Sequence, residues 1–338
     1  MPVRILFLAD THLGFDLPGR PRVARRRRGE DFFAAFELAL APAIRGETDL
    51  VIHGGDLFYR SRIPAWLAAR VFSRLAAVAD GGVDVFWVPG NHERSGVPRR
   101  LLLDHPRVHV FDRPRTFVVE RDGLRLALAG IPHAPRIRAE HATLLAATGH
   151  STVPADVRLL CLHQAVEGAT VGPADFVFRD GPDVLACAQL PAGFAAVLSG
   201  HVHRAQVLLR DLTGRRLPVP VLYPGSTERT SFAERAETKG TLMLEVDRSQ
   251  VATGGAVGWE FRALPVPPMV DVELDGGVSA GPLTARLRES LARLDPCSVV
   301  RIRLRGGISP EALPALRAEA LRAAAPPTMH VSVAWTRK

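Results

Sequence analysis

The chemistry-bearing residues of this chain fall into short, mostly glycine-led groups. Asp10-Thr11-His12 sets a carboxylate and an imidazole two residues apart, and Gly54-Gly55-Asp56 delivers a carboxylate on a turn that glycine permits. Gly90-Asn91-His92-Glu93 offers an amide oxygen and an imidazole, His163 stands alone, and Gly200-His201-Val202-His203 adds two more imidazoles. Carboxylate, amide and imidazole donors without thiolate suit divalent Mn, Fe, Zn or Mg rather than a structural zinc. Two such ions sharing one carboxylate suit in-line attack on phosphorus, one activating water and both neutralising phosphoryl oxygens.

Each group follows an apolar run of strand character. Ile5 to Ala9 stops at Asp10, Leu50-Val51-Ile52 leads to Asp56, and Val85 to Val88 breaks at Pro89-Gly90 before Asn91. Leu159 to Leu162 ends at His163, and Ala196-Val197-Leu198 ends just before His201. In α/β folds the carboxyl ends of strands line the ligand crevice, so five such endings predict one convergent site assembled from across the sheet. Taken singly, each group has an ordinary reading as a turn or strand end; the ordered series does not. Asp31 to Leu40 and Ala65 to Ala79 carry Phe32, Phe33, Phe36, Leu38, Leu40 and then Trp66, Val71, Phe72, Leu75, largely at helical spacing, as sheet-covering faces. His53, His105, His109, His133, His141, His150 and His330 lie outside the groups and read as surface or satisfied core residues.

Composition narrows the class. Of 338 residues, 47% are hydrophobic and 23% charged, which excludes a disordered or fibrous chain, and the length predicts one large domain plus a smaller one. The net charge is +8, but 41 of the 43 cations are arginine, a bias that a GC-rich genome produces whatever the function. Cys161, Cys187 and Cys297 form no Cys-x-x-Cys pair, which argues against a disulfide framework. Val3 to Ala9 runs straight into a strand with no basic leader and too few apolar residues to span a membrane, so the protein reads as cytoplasmic and soluble. Pro265-Val266-Pro267-Pro268 closes the motif-bearing region, giving domains 1–264 and 265–338. The second reads as strand 270–274, helix 283–294, strand 299–304, helix 310–324 and strand 330–335.

The ordered groups from Asp10 to His203 resemble the pattern of the calcineurin-like metallophosphoesterases. Asp10-Thr11-His12-Leu13-Gly14, Gly55-Asp56-Leu57-Phe58, and Tyr223-Pro224-Gly225-Ser226-Thr227-Glu228-Arg229 with Phe232 and Glu234 are most similar to the Mre11/SbcD nuclease branch. The resemblance implies a layered α-β-β-α sandwich followed by a small α/β capping-like domain. It implies two divalent ions, manganese first, with Mg, Fe or Zn as alternatives. Asp10, His12 and His203 would hold one, Asn91, His163 and His201 the other, and Asp56 would bridge them. His92 matches the catalytic histidine, and the reaction is phosphodiester hydrolysis, as a DNA nuclease in repair or end processing and hence at the nucleoid. A small-molecule phosphodiesterase with the same site, or a non-catalytic DNA-end binding module, are the alternatives.

Two features depart from that pattern. Tyr59 stands where the family often has a histidine; it can stack on a base or hydrogen-bond a phosphate but brings no positive charge at neutral pH. Relatives that couple to a Rad50/SbcC-type ATPase carry further helices after the capping domain, whereas Lys338 closes this sequence, which argues against that partner; pairing of two copies is left open. For substrate, Arg20, Arg22, Arg25, Arg26, Arg27 and Arg28 place six arginines in nine residues, suited to DNA phosphates or else a solvated turn.

Overall fold

Parallel strand pairing carries the motif-bearing strand ends to a common edge. The computed structural model describes residues 2–16, 27–93, 105–247, 257–306 and 308–334. The chain divides into two compact units: Met1–Phe15, Phe32–Thr230 and Glu237–Pro265 form one, and Asp16–Asp31, Ser231–Ala236 and Val266–Lys338 the other. Two short segments that a single linear boundary assigns to the large domain thus cluster with the small one.

The strands of the larger unit are β1 (Val3–Leu8), β2 (Leu50–His53), β3 (Asp84–Trp87), β4 (Val108–Val110), β5 (Arg115–Arg121), β6 (Leu124–Gly130) and β7 (Val157–His163). Four two-residue strands, β8 to β11, fall between Ala165 and Leu185, followed by β12 (Ala196–Gly200), β13 (Gln206–Arg210), β14 (Arg216–Tyr223), β15 (Gly240–Val246) and β16 (Gly258–Ala263). One six-stranded sheet has the order β16-β15-β1-β2-β3-β4, the other β13-β14-β12-β7-β6-β5. The five motif-bearing strands therefore belong to two sheets, not one: β1, β2 and β3 to the first, β7 and β12 to the second.

Alternation explains the layering. Ile5, Phe7, Ile52 and Phe86 face inward and share a buried core with Leu128, Leu159, Cys161 and Leu198 of the other sheet. The outer face of the first sheet is covered by α1 (Gly29–Ile44) and α2 (Ala65–Asp80): α2 packs on β3 and β4, and Arg70 lies 3.7 Å over the Phe33 ring of α1. On the second sheet, α3 (Ile137–Ala147) buries Ile137 in a cluster with Leu160, Leu162 and Val197. The order is helix, sheet, sheet, helix. Trp66, read as a core residue, is 56% exposed, because the buried stripe of α2 runs Leu67, Val71, Leu75 and Val78, and Trp66 is one position off it. Leu38 is likewise exposed at the surface of α1.

The second unit has a parallel sheet β17 (Met269–Asp275), β18 (Val299–Arg305) and β19 (His330–Ala334). A helix at Ala280–Ala292 packs Leu283, Leu287 and Leu291 against Val300 and Ile302. The expected helix 310–324 is instead a 3-10 turn at Pro310–Leu316 and a short α-helix at Ala318–Ala324. Pro314 has no N–H to give, and Arg317 at ψ 147° is extended, so the helix breaks at Arg317. Trp335, expected in the last strand, lies outside the described residues.

Candidate metal centre

The register of the parallel pairs sets the site. Leu8 lies opposite His53 and His53 opposite Trp87, so the turns after β1, β2 and β3 leave side by side. Asp10 N–H donates to Gly55 O at 2.9 Å and His12 N–H to Asp56 O at 3.0 Å. In the second sheet Gly200 pairs with His163, which sets His163 beside His201. The sheets meet closely at this edge: His163 Nδ1–H donates to Gly54 O at 2.7 Å. Four non-glycine residues here take positive φ, Asp10 at 52°, His12 at 45°, Asp56 at 50° and His201 at 81°. Such backbone strain, about 1–3 kcal/mol per residue, clusters at functional sites.

All seven expected ligands converge. His12 Nε2 is 2.9 Å from His203 Nε2, and Asn91 Oδ1 is 3.1 Å from His163 Nε2 and 3.0 Å from His201 Nδ1. Asp56 Oδ2 lies 3.5 Å from His163 Nε2 and 3.7 Å from His92 Nε2. Donor atoms of Asp10, His12 and His203, of His12, Asp56 and His92, and of Asp10, Asp56 and His163 each fall within 4.8 Å of one another. Two ring nitrogens 2.9 Å apart cannot both carry protons, and His12 Nδ1 is buried without a hydrogen-bond partner. His163 gives its Nδ1–H to a carbonyl and turns Nε2 toward the cluster, the orientation that a ligating imidazole takes. This donor set fits a pair of divalent cations.

The electrostatics agree. Burial, with neighbouring imidazoles, holds His12 well below its ordinary value and His201 at about 3, so both offer lone pairs. Burial pushes Asp10 up to about 6. For Asp56 burial acts upward, but His163, His12 and His92 outweigh it and hold the carboxyl well below the usual range. Burial alone would lower His163, yet the Asp56 carboxylate raises it to about 9. A proton on His163 and a cation between these atoms satisfy the same negative charge.

His92, the expected catalytic histidine, borders the cluster and falls in one of its three donor groups. It sits in a 3-10 turn, Asn91–Glu93, with its N–H on Asp56 Oδ1 at 3.0 Å and Nδ1–H on Tyr59 O at 2.5 Å. Nε2 is left facing the cluster, and the side chain is 31% exposed, open to a substrate. The Tyr59 ring packs edge-on to His12 at 5.8 Å and tilted beside His92 at 5.9 Å. Glu93, to which sequence reasoning gave no role, is buried and accepts N–H bonds from Asp56 at 3.1 Å, Phe58 at 2.9 Å and Gly90 at 2.7 Å. Its carboxylate fastens the Asp56 turn to the Asn91 turn; the only signal was an acid directly after Gly-Asn-His. His133, on the loop after β6, has its ring 6.0 Å from His163 and 5.8 Å from His201.

The arginine run falls only partly within the described residues. Arg20, Arg22, Arg25 and Arg26 lie outside the described residues. Arg27 pairs with Asp16 at 2.6 Å, and Arg28 is buried.

The family model for calcineurin-like phosphoesterases matches residues 3–205, a span that contains every expected ligand and His92. The chain belongs to this family. It is a metal-dependent hydrolase of phosphoesters, with a candidate dinuclear centre. Three curated proteins similar to this phosphoesterase are each named DNA double-strand break repair protein Mre11. That of Haloferax volcanii is 29% identical over 90% of this chain and 61% of its own length. That of Methanopyrus kandleri is 27% identical over 77% and 56%, and that of Aeropyrum pernix 26% over 86% and 69%. The chain thus spans about three fifths of the length of the first two. Among the described residues no helix is long and apolar enough to cross a membrane.

Proposed function

We propose that this phosphoesterase is a DNA nuclease of the Mre11/SbcD type that hydrolyses phosphodiester bonds with two divalent cations, manganese first. Asp10, His12 and His203 hold one, Asn91, His163 and His201 the other, and Asp56 lies between. When bound, the cations supply Lewis acidity at the phosphoryl oxygens and acidify water. The chain's own residues do the rest. His92, fixed through Nδ1 by the Tyr59 carbonyl, presents Nε2 to protonate the leaving 3′ or 5′ oxygen. The Tyr59 ring beside it offers a face to a base, and Arg20, Arg22, Arg25 and Arg26 supply contacts to the DNA backbone. The observation that carries the reading is an accessible His92, 31% exposed, with Nε2 3.7 Å from the Asp56 carboxylate around which the other donors cluster. The names of the relatives favour DNA over a small ester. On this reading the protein works in the cytoplasm at the nucleoid.

The test is Mn-dependent cleavage of labelled single-stranded DNA, duplex ends and bis-p-nitrophenyl phosphate, with His92→Asn as control. DNA cleavage that falls about 100-fold or more in His92→Asn is expected. Hydrolysis of the small ester alone sinks the nuclease reading, and full activity in His92→Asn removes the proton-donor role.

A further inference from the structure

Beneath the first two turns lies an imidazole that the ligand set does not use. His53, the last residue of β2, is 1% exposed. Its Nδ1 faces the Gly55 N–H at 3.2 Å. A backbone N–H only donates, so Nδ1 is the acceptor and the ring proton sits on Nε2. Nε2 lies 3.1 Å from Thr11 Oγ1, and the Thr11 hydroxyl in turn donates to Leu57 O at 3.1 Å. Read from either end the proton order is the same: Leu57 O must accept, so Thr11 gives its proton there and receives one from His53. Thr11 is fully buried, so water does not compete for these groups. Burial, with the nearby His163, takes His53 down to about 3, in keeping with the neutral ring that this order requires.

The bonds run from the Gly55-Asp56-Leu57 turn to the Asp10-Thr11-His12 turn. These are the turns that hold Asp10, His12 and Asp56 at positive φ, a conformation that persists only where surroundings over-determine it. We propose that His53 is a positioning residue: as a neutral Nε2–H tautomer it locks the Asp10/His12 turn to the Asp56 turn and so sets how tightly the cluster takes its divalent cations. The inference rests on reading that cluster as a two-cation site. His53 acts through its hydrogen bonds to Thr11 and to the backbone of Gly55.

Calorimetric Mn titration of the full chain, compared among wild type, His53→Phe, His53→Gln and Thr11→Val, tests this. His53→Phe keeps a ring but breaks both bonds, and Mn affinity is expected to fall about tenfold or more, as for other groups that orient ligands. Thr11→Val, which removes only the hydroxyl, should give a similar loss. The double variant should lose little more, because both members belong to one chain of bonds. His53→Gln, whose amide can still donate to Thr11, should recover part of the affinity. Independently of any variant's folding, long-range proton–nitrogen spectra of the wild type should show His53 protonated at Nε2 and bare at Nδ1. Equal Mn affinity in all four proteins, or a proton on Nδ1, overturns the positioning role and leaves the two-cation reading intact. A wild type that binds no Mn overturns both.

Discussion

Gly90→Ala isolates how finely the centre is packed. Gly90 does not occupy the left-handed region, so alanine meets no backbone penalty there and the substitution tests space alone. A Cβ at this position would stand 2.2 Å from Asp56 Oδ1, 2.5 Å from Asp56 N and 2.9 Å from His163 Cε1. Ordinary carbon–oxygen contacts begin near 3.3 Å, so the Asp56 carboxylate or the Asn91 turn must move by about 1 Å. Overpacking of this size costs about 1–3 kcal/mol, which a domain with a stability of about 5–15 kcal/mol survives. Chemistry is less tolerant, since a misplacement of about 1 Å can cost about 100-fold in rate, or about 2.7 kcal/mol of barrier. Mn-dependent hydrolysis of bis-p-nitrophenyl phosphate should therefore fall about 100-fold in kcat/KM while the protein still melts cooperatively. Gly281→Ala, where nothing lies within 4 Å of the added Cβ, is the control and should leave the rate unchanged. A Gly90→Ala enzyme within about threefold of wild type would refute the view that Asp56 is held without slack.

Three further outcomes are expected. Glu93→Gln turns an amide N–H toward backbone donors and leaves at least one buried N–H without its acceptor, about 1–3 kcal/mol, so the melting temperature should drop by roughly 5 °C; an unchanged melt would mean the Glu93 side chain is not the acceptor. Mn should raise the melting temperature, by about 2.7 kcal/mol of stability at 100 times Kd, with reversal by a chelator and most of the gain gone in His203→Ala; a melt indifferent to Mn contradicts the donor set. Burial holds the Cys161 thiol up to about 12 and Cys187 up to about 11, against an ordinary value of 9.0. The unfolded chain gives up these protons from about pH 9 while the folded chain keeps them, so stability should fall as pH rises from about 9 towards 12. Iodoacetamide at pH 8.5 should accordingly modify Cys297 in the native protein and leave Cys161 and Cys187 untouched until it unfolds, as read by mass spectrometry.

The strands that carry the site are legible because each is a short apolar run that ends on a ligand-type residue, and burial on both faces demands that pattern. The helices were legible in extent but less so in face: Trp66 lies one position off the buried stripe, a shift of about 100° that periodicity over one turn does not resolve. The broken helix at 310–324 escaped because a proline inside an apolar pattern permits either a kink or a stop, and packing chose the stop at Arg317.

The sequence by itself determined the donor types, their order and their place at strand ends, since strand, turn and ligand are all local properties of a few residues. Which donors lie side by side was decided only in three dimensions. His12 meets His203 across 191 positions of chain, and Asn91 meets His201 across 110, because two sheets bury their inner faces against each other and so align edges that no local rule connects. The same packing hides Glu93 and His53. Each is an unremarkable polar residue in the linear chain, and each becomes a fastening between turns once burial leaves its neighbours' N–H groups and hydroxyls no water to bond.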